Sequence, residues 1–91
     1  MASGRALSVE IVDYAGSVWS GEAAYIGVPA MAGPVGIYPK HQPLLAILAP
    51  GTVKVELPDG SEVRANVSGG FLSVDSDLVT VVTDEGELLA A

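Results

Sequence analysis

Ninety-one residues with a formal charge of −7 and no cysteine leave room for one domain, and exclude disulfides, thiolate metal sites and thiol catalysis. Apolar residues make up 49% of the chain but include only one Trp, three Tyr and one Phe, so a core must come from Val, Leu, Ile and Ala. The acidic balance repels phosphate backbones, and no basic stripe with interleaved aromatics offsets it, so nucleic-acid binding is excluded.

From the N-terminus, Met1 to Arg5 shows neither the apolar run of a signal peptide nor the pattern of a transit peptide, and residues 1–6 are expected to be flexible. Leu7, Val9 and Ile11 then alternate with Ser8 and Glu10, the period of a half-buried strand. Turn residues at Asp13 to Ser17 lead into one strand-like segment from Val18 to Val28. Within it Gly21 and Gly27 are expected to mark bulges or close backbone approaches. Pro29, Pro34, Pro39, Pro43 and Pro50 punctuate the next stretch, which predicts short strands and rigid loops at an edge, with Leu44 to Leu48 as a strand. The longest strongly apolar run, Leu44 to Ala49, is far below the roughly 20 residues of a bilayer helix. The chain is therefore expected to be soluble, with any membrane attachment made through a partner.

Thr52 to Val67 reads as a hairpin. Val53, Val55 and Leu57 share a face, Pro58-Asp59-Gly60 turns the chain, and Val63, Ala65 and Val67 return on the dry side. A second hairpin runs from Gly70 to Thr83 around Asp75-Ser76-Asp77, and its returning arm is apolar on both faces, as suits an inner strand. Asp84 to Ala91 has the composition of a helix start weakened by Gly86, and residues 85–91 form a short C-terminal tail. No repeat, linker or low-complexity tract interrupts residues 1–91. The expected fold is all-β: one antiparallel β-sandwich of two packed sheets with about eight to ten short strands.

Chemistry is sparse. His41 is the only histidine, and no serine sits in a nucleophile-elbow context, so no catalytic residue is assigned. One histidine without cysteine is a poor zinc set, and Asp75-Ser76-Asp77 lacks the glycine and bidentate glutamate of a calcium loop. Ser68-Gly69-Gly70 has no following lysine and reads as a strand corner rather than a phosphate cradle. No cofactor and no metal are expected. The distinctive stretch is Gly33 to Leu45, which joins stiff prolines to Tyr38, Lys40, His41 and Gln42. Stiff backbone loses little freedom on docking, as a protein contact requires; it equally blunts an edge against aggregation. Composition supports both readings alike.

The residues then resemble a known family, the epsilon subunit of the F-type ATP synthase. The matching motifs are Trp19-Ser20-Gly21-Glu22-Ala23, Gly36-Ile37-Tyr38-Pro39-x-His41-x-Pro43-Leu44-Leu45, Pro50-Gly51, Val67-Ser68-Gly69-Gly70-Phe71-Leu72-x-Val74, and Val79-Thr80-Val81-Val82. They follow the family's order from about Leu7 to Glu85. The resemblance implies a non-catalytic rotor component of the central stalk, clamping the gamma subunit to the ring of c subunits and reaching the alpha/beta head indirectly. It places the chain peripherally on the cytoplasmic face of a bacterial plasma membrane. It also implies that Gly33, Pro34 and Val35 approach the ring and that His41, Leu44 and Leu45 lie toward gamma. Tyr38, Lys40 and Gln42 are further interface candidates. The family usually has Gly and Ala where Lys40 and Gln42 stand, and an acid near Pro34. Many relatives continue into a C-terminal helical hairpin, whereas this sequence ends at Ala91, so neither hairpin-based inhibition nor a nucleotide site is expected. The rivals are a lipoyl- or biotinyl-type carrier with Lys40 as the modified lysine, and a ligand-binding sandwich. The latter needs an aromatic platform, and Trp19, Tyr14, Tyr25, Tyr38 and Phe71 are scattered, with Trp19 expected in the core.

Overall fold

Alternation becomes strands throughout the computed structural model, which describes residues 6–89. They are β1 (Leu7–Asp13), β2 (Gly16–Ala23), β3 (Tyr25–Ala30), β4 (Gly33–Ile37) and β5 (Leu44–Leu48). After them come β6 (Gly51–Glu56), β7 (Glu62–Val67), β8 (Gly70–Asp75), β9 (Leu78–Val82) and β10 (Gly86–Leu88). Both expected hairpins form, β6 with β7 and β8 with β9. Asp59 accepts from the Ser61 N–H and hydroxyl at 2.9 and 2.6 Å, closing the first turn as an Asx-type loop.

The strands hydrogen-bond in the order β10-β7-β6-β3-β5-β8-β9-β1-β2, with β4 branching from β3. The all-β expectation holds, but an antiparallel pair of separate sheets does so only in part. β1 and β9 run parallel, and the ladder is continuous. Parallel pairing joins segments that no hairpin links, so no local pattern announces it. The β3–β5 junction is a single pair, Ala30 with Leu48, braced by Met31 N–H to the Ile47 carbonyl at 2.8 Å and Ala49 N–H to the Pro29 carbonyl at 2.7 Å. That narrow junction lets the sheet fold over one core. Its far ends meet where the Gly86 N–H donates to Asp13 Oδ2 at 3.0 Å, tying the start of β10 to the β1–β2 turn.

The core joins every part of the ladder. Leu7, Ile11, Ile26, Ile37 and Leu72 are fully buried among Val9, Val53, Val55, Val74, Val79 and Val81. Each such side chain stabilises the fold by about 1.5–3 kcal/mol. Trp19 packs against this cluster, as expected. Among the described residues Thr83 is the buried polar one, and its hydroxyl is satisfied by Ser68 and the Glu85 carbonyl.

Three local expectations are corrected. Val18 to Val28 is two strands broken at Ala24, whose N–H donates to the Glu56 carbonyl at 2.7 Å. The bulge falls not at Gly21 or Gly27 but beside Trp19: Ile11 pairs with Trp19 and Val12 with Ser17, leaving Val18 as the extra residue. Residues 86–88 form β10 on β7 rather than a helix start, because Asn66 and its neighbours offer an open ladder edge that satisfies the backbone at once. The residues 90–91 of the expected tail, and 1–5 of the expected flexible N-terminus, lie outside the described residues.

Candidate docking surface

A strand with apolar side chains on both faces must expose one set unless both faces are covered. In β5, Leu44, Ala46 and Leu48 turn toward the core, while Leu45 and Ile47 stand outward at 72% and 63% exposure. Register carries this face across the sheet. Ile47 sits opposite Phe71, which is 43% exposed, and Phe71 sits opposite Val82. Met31, 67% exposed in the β3–β4 turn, is fixed beside Ile47 by its backbone bond. Met31, Leu45, Ile47 and Phe71 thus make one strip of apolar surface with no ionisable side chain among them. Clustered exposure of this kind marks an interaction site, whereas isolated exposed leucines do not.

The connection from β4 to β5 enters this strip. His41 Nδ1 lies 2.6 Å from the Gln42 carbonyl, within reach to donate a proton to that oxygen. Lys40 takes a left-handed φ of 70° and donates its N–H to Asp77 Oδ1 at 2.6 Å. Tyr38 is exposed and its ring stacks on Tyr25, with centroids 4.7 Å apart and planes tilted by 49°. Tyr25 lies over Gly27 and Gly36, which face each other across β3 and β4. A Cβ on Gly36 would stand 2.6 Å from the Tyr25 hydroxyl, so the glycine pair is the floor on which this ring rests.

The sequence-predicted site residues fall into two places. Gly33, Pro34 and Val35 occupy the start of β4, paired to Ala30, Pro29 and Val28 on β3. His41, Gln42, Leu44 and Leu45 run from the loop into β5, with Leu44 half-buried against the core. Sequence reading missed Ile47, Phe71 and Met31. The available signal was the i, i+2 spacing of Leu45 and Ile47; the other two reach the strip only through register. Lys40 lies in a loop between strands that do not pair with each other, unlike the tight hairpin turn of a carrier lysine. Tyr25 and Tyr38 come together, while Trp19 packs against the core, so no broad aromatic platform forms.

The ion pairs sit elsewhere. Lys54 and Arg64 both reach Glu62, at 3.6 and 3.1 Å, on β6 and β7. Asp13 is held below the ordinary 3.8 by N–H donors from Gly86 and Ala15, and Asp59 by the Ser61 hydroxyl and N–H. Among the described residues no group of three or more His, Asp or Glu could hold a metal ion. Two open clefts of about 470 Å³ lie on the surface, one beside Asp13, Ser68 and Glu85, the other beside Tyr25, Pro34 and Lys54. His41 lines neither. Among the described residues no helix is long and apolar enough to cross a membrane.

The strip is a preformed apolar surface on paired strands, flanked by a braced loop, on an all-β domain. Residues 6–88 match the family described as ATP synthase, Delta/Epsilon chain, beta-sandwich domain, and the chain belongs to that family. It is 43% identical over 82 residues to the ATP synthase epsilon chain of Micrococcus luteus, covering 90% of each chain. It is 41% identical over 78 residues to that of Delftia acidovorans, covering 86% of this chain and 56% of that one. The chain thus spans about half the length of several curated relatives. In fold it matches a chain of the Euglena gracilis mitochondrial ATP synthase, with TM-score 0.87 at 22% identity, over 97% of this chain and 56% of the other. A chain of the Tetrahymena thermophila mitochondrial central stalk and c-ring matches at TM-score 0.72 and 16% identity, over 88% and 64% respectively. The sequence resemblance therefore holds over nearly the whole chain.

Proposed function

We propose that this chain works as the non-catalytic epsilon component of a proton-translocating F-type ATP synthase, docked on the gamma subunit and steadying its seat on the c ring. The observation that carries this is the exposed strip of Leu45, Ile47, Phe71 and Met31 continuous with the His41 loop. Membership of the epsilon family supports the choice of partner. In this reading the strip and His41 face gamma, Tyr38 and Gln42 lie at the rim, and Gly33, Pro34 and Val35 face the ring. The folded sheet serves as a two-layered sandwich on the cytoplasmic face of a bacterial plasma membrane, held there by its partners.

Its contribution is mechanical. Torque passes between ring and gamma without slip only if the joint is stiff. A face built on hydrogen-bonded strands and prolines surrenders little backbone freedom on docking, so more of the apolar burial appears as affinity. A tagged chain used as bait on detergent-solubilised membranes tests this. Co-recovery of gamma and ring subunits is expected, and bait that returns without either would end the proposal.

A further inference from the structure

We propose that Asp77 is the positioning residue of the docking loop, its carboxylate holding Lys40 and hence His41 in the docked shape; this rests on the gamma-docking reading above. Among the described residues three non-glycine residues have positive φ: Lys40 at 70°, Ser76 at 52° and Asp77 at 65°. Lys40 lies 37 positions from Asp77 in sequence, yet the two are joined by one hydrogen bond, Lys40 N–H to Asp77 Oδ1 at 2.6 Å, with Ser76 adjacent to Asp77 in the turn.

The two sides of that bond have separate origins. Asp75 pairs with Leu78, so Ser76 and Asp77 form a two-residue hairpin turn, and strand twist favours left-handed conformations at both positions. Asp tolerates that region better than most residues. The Asp77 carbonyl also accepts the Ser8 N–H at 2.8 Å, locking the turn to the start of β1. Asp77 is therefore anchored on one side by the fold and offers its carboxylate on the other. Between β4 and β5 the chain runs through Pro39 and Pro43, which have no N–H to donate, and beside the contact of the Tyr38 ring with Tyr25 its hydrogen bond to a neighbouring element, among the described residues, is that of the Lys40 N–H. A left-handed lysine without that partner relaxes toward ordinary φ, and His41 turns with it. If the docked shape is then populated only 10–20% of the time by order of magnitude, apparent affinity falls about five- to tenfold.

The test compares Asp77→Gly, which keeps the left-handed turn but removes the carboxylate, with Asp77→Asn, which keeps an Oδ1 acceptor. Both are measured for binding to purified gamma subunit and for amide exchange at Lys40, beside Leu45→Glu on the strip itself. Asp77→Gly is expected to bind about five- to tenfold more weakly and to speed Lys40 exchange, while Asp77→Asn stays within about twofold of the parent. Leu45→Glu is expected to bind far more weakly while Lys40 exchange stays slow. Parent-like binding by Asp77→Gly, or equal losses for Gly and Asn, overturns the positioning role. If Leu45→Glu also binds like the parent, the docking reading itself falls and takes the positioning role with it.

Discussion

Replacing Leu45 and Ile47 together by threonine tests the docking strip with little risk to the fold. Both side chains already stand in solvent, at 72% and 63% exposure, and threonine suits a strand. Fully burying a Leu or Ile stabilises by about 1.5–3 kcal/mol, and most of that remains to be gained at each position when a partner covers it. Allowing for the methyl that threonine keeps, the pair is expected to weaken gamma binding by about 2–3 kcal/mol, or roughly 30- to 150-fold. Stability should change by no more than about 0.5 kcal/mol per site, since no core contact is lost. Titration calorimetry with purified gamma, alongside urea unfolding of the chain alone, separates the two quantities. Parent-like affinity with parent-like stability would refute the assignment of this face. A large loss of stability would refute the claim that these side chains lie outside the core.

Gly70 has φ of +117°, and a Cβ there would collide with the Val82 carbonyl, so Gly70→Ala is expected to lose about 3 kcal/mol or more in urea unfolding; a loss under 1 kcal/mol contradicts the β8–β9 geometry. Lys40→Gly relieves a left-handed lysine at the expense of a freer unfolded chain, for a net gain of up to about 1 kcal/mol; clear destabilisation in the same assay argues against the loop conformation. The Asp13 and Asp59 carboxyls sit below the ordinary 3.8, so the fold favours their ionised forms. Their contribution is present above that value and is lost as pH falls through the lower folded one. Stability followed by circular dichroism should therefore hold from neutrality to about pH 5 and decline below about 4. Asp13→Asn with Asp59→Asn should flatten that limb, and an unchanged slope would remove these groups from the acid response.

Much of the fold was legible because the buried positions of Leu7, Val9 and Ile11, and of Val53 and Val55, keep the strict period of a one-sided strand. Both hairpin turns carried their own chemistry, Pro58-Asp59-Gly60 in one and Asp75-Ser76-Asp77 in the other. Long-range features were not legible. Parallel pairing of β1 with β9 depends on where the whole ladder closes, and nothing in Ser8 or Leu78 announces it. β10 is a strand only because β7 leaves an edge for Glu87 to pair with Asn66. The break at Ala24 and the bulge at Val18 were hidden because residues 18–28 contain no proline before Pro29 to mark an end. Of the strip, Leu45 alone was singled out from the sequence, and Ile47 shares its face only by the i, i+2 spacing. Phe71 and Met31 arrive from other strands, and in a wholly apolar run the alternation gives no sign of which face is wet.

The central claim is that the outer face of β5 and β8 meets gamma, and site-specific photo-crosslinking in the assembled synthase tests it most directly. A photo-reactive phenylalanine analogue replaces Ile47 in one chain and the exposed Thr52, on the exterior of β6, in another. The expected result is a crosslink from position 47 to gamma and none to gamma from position 52. Gamma captured from 52 but not from 47 would contradict the claim and turn the module around.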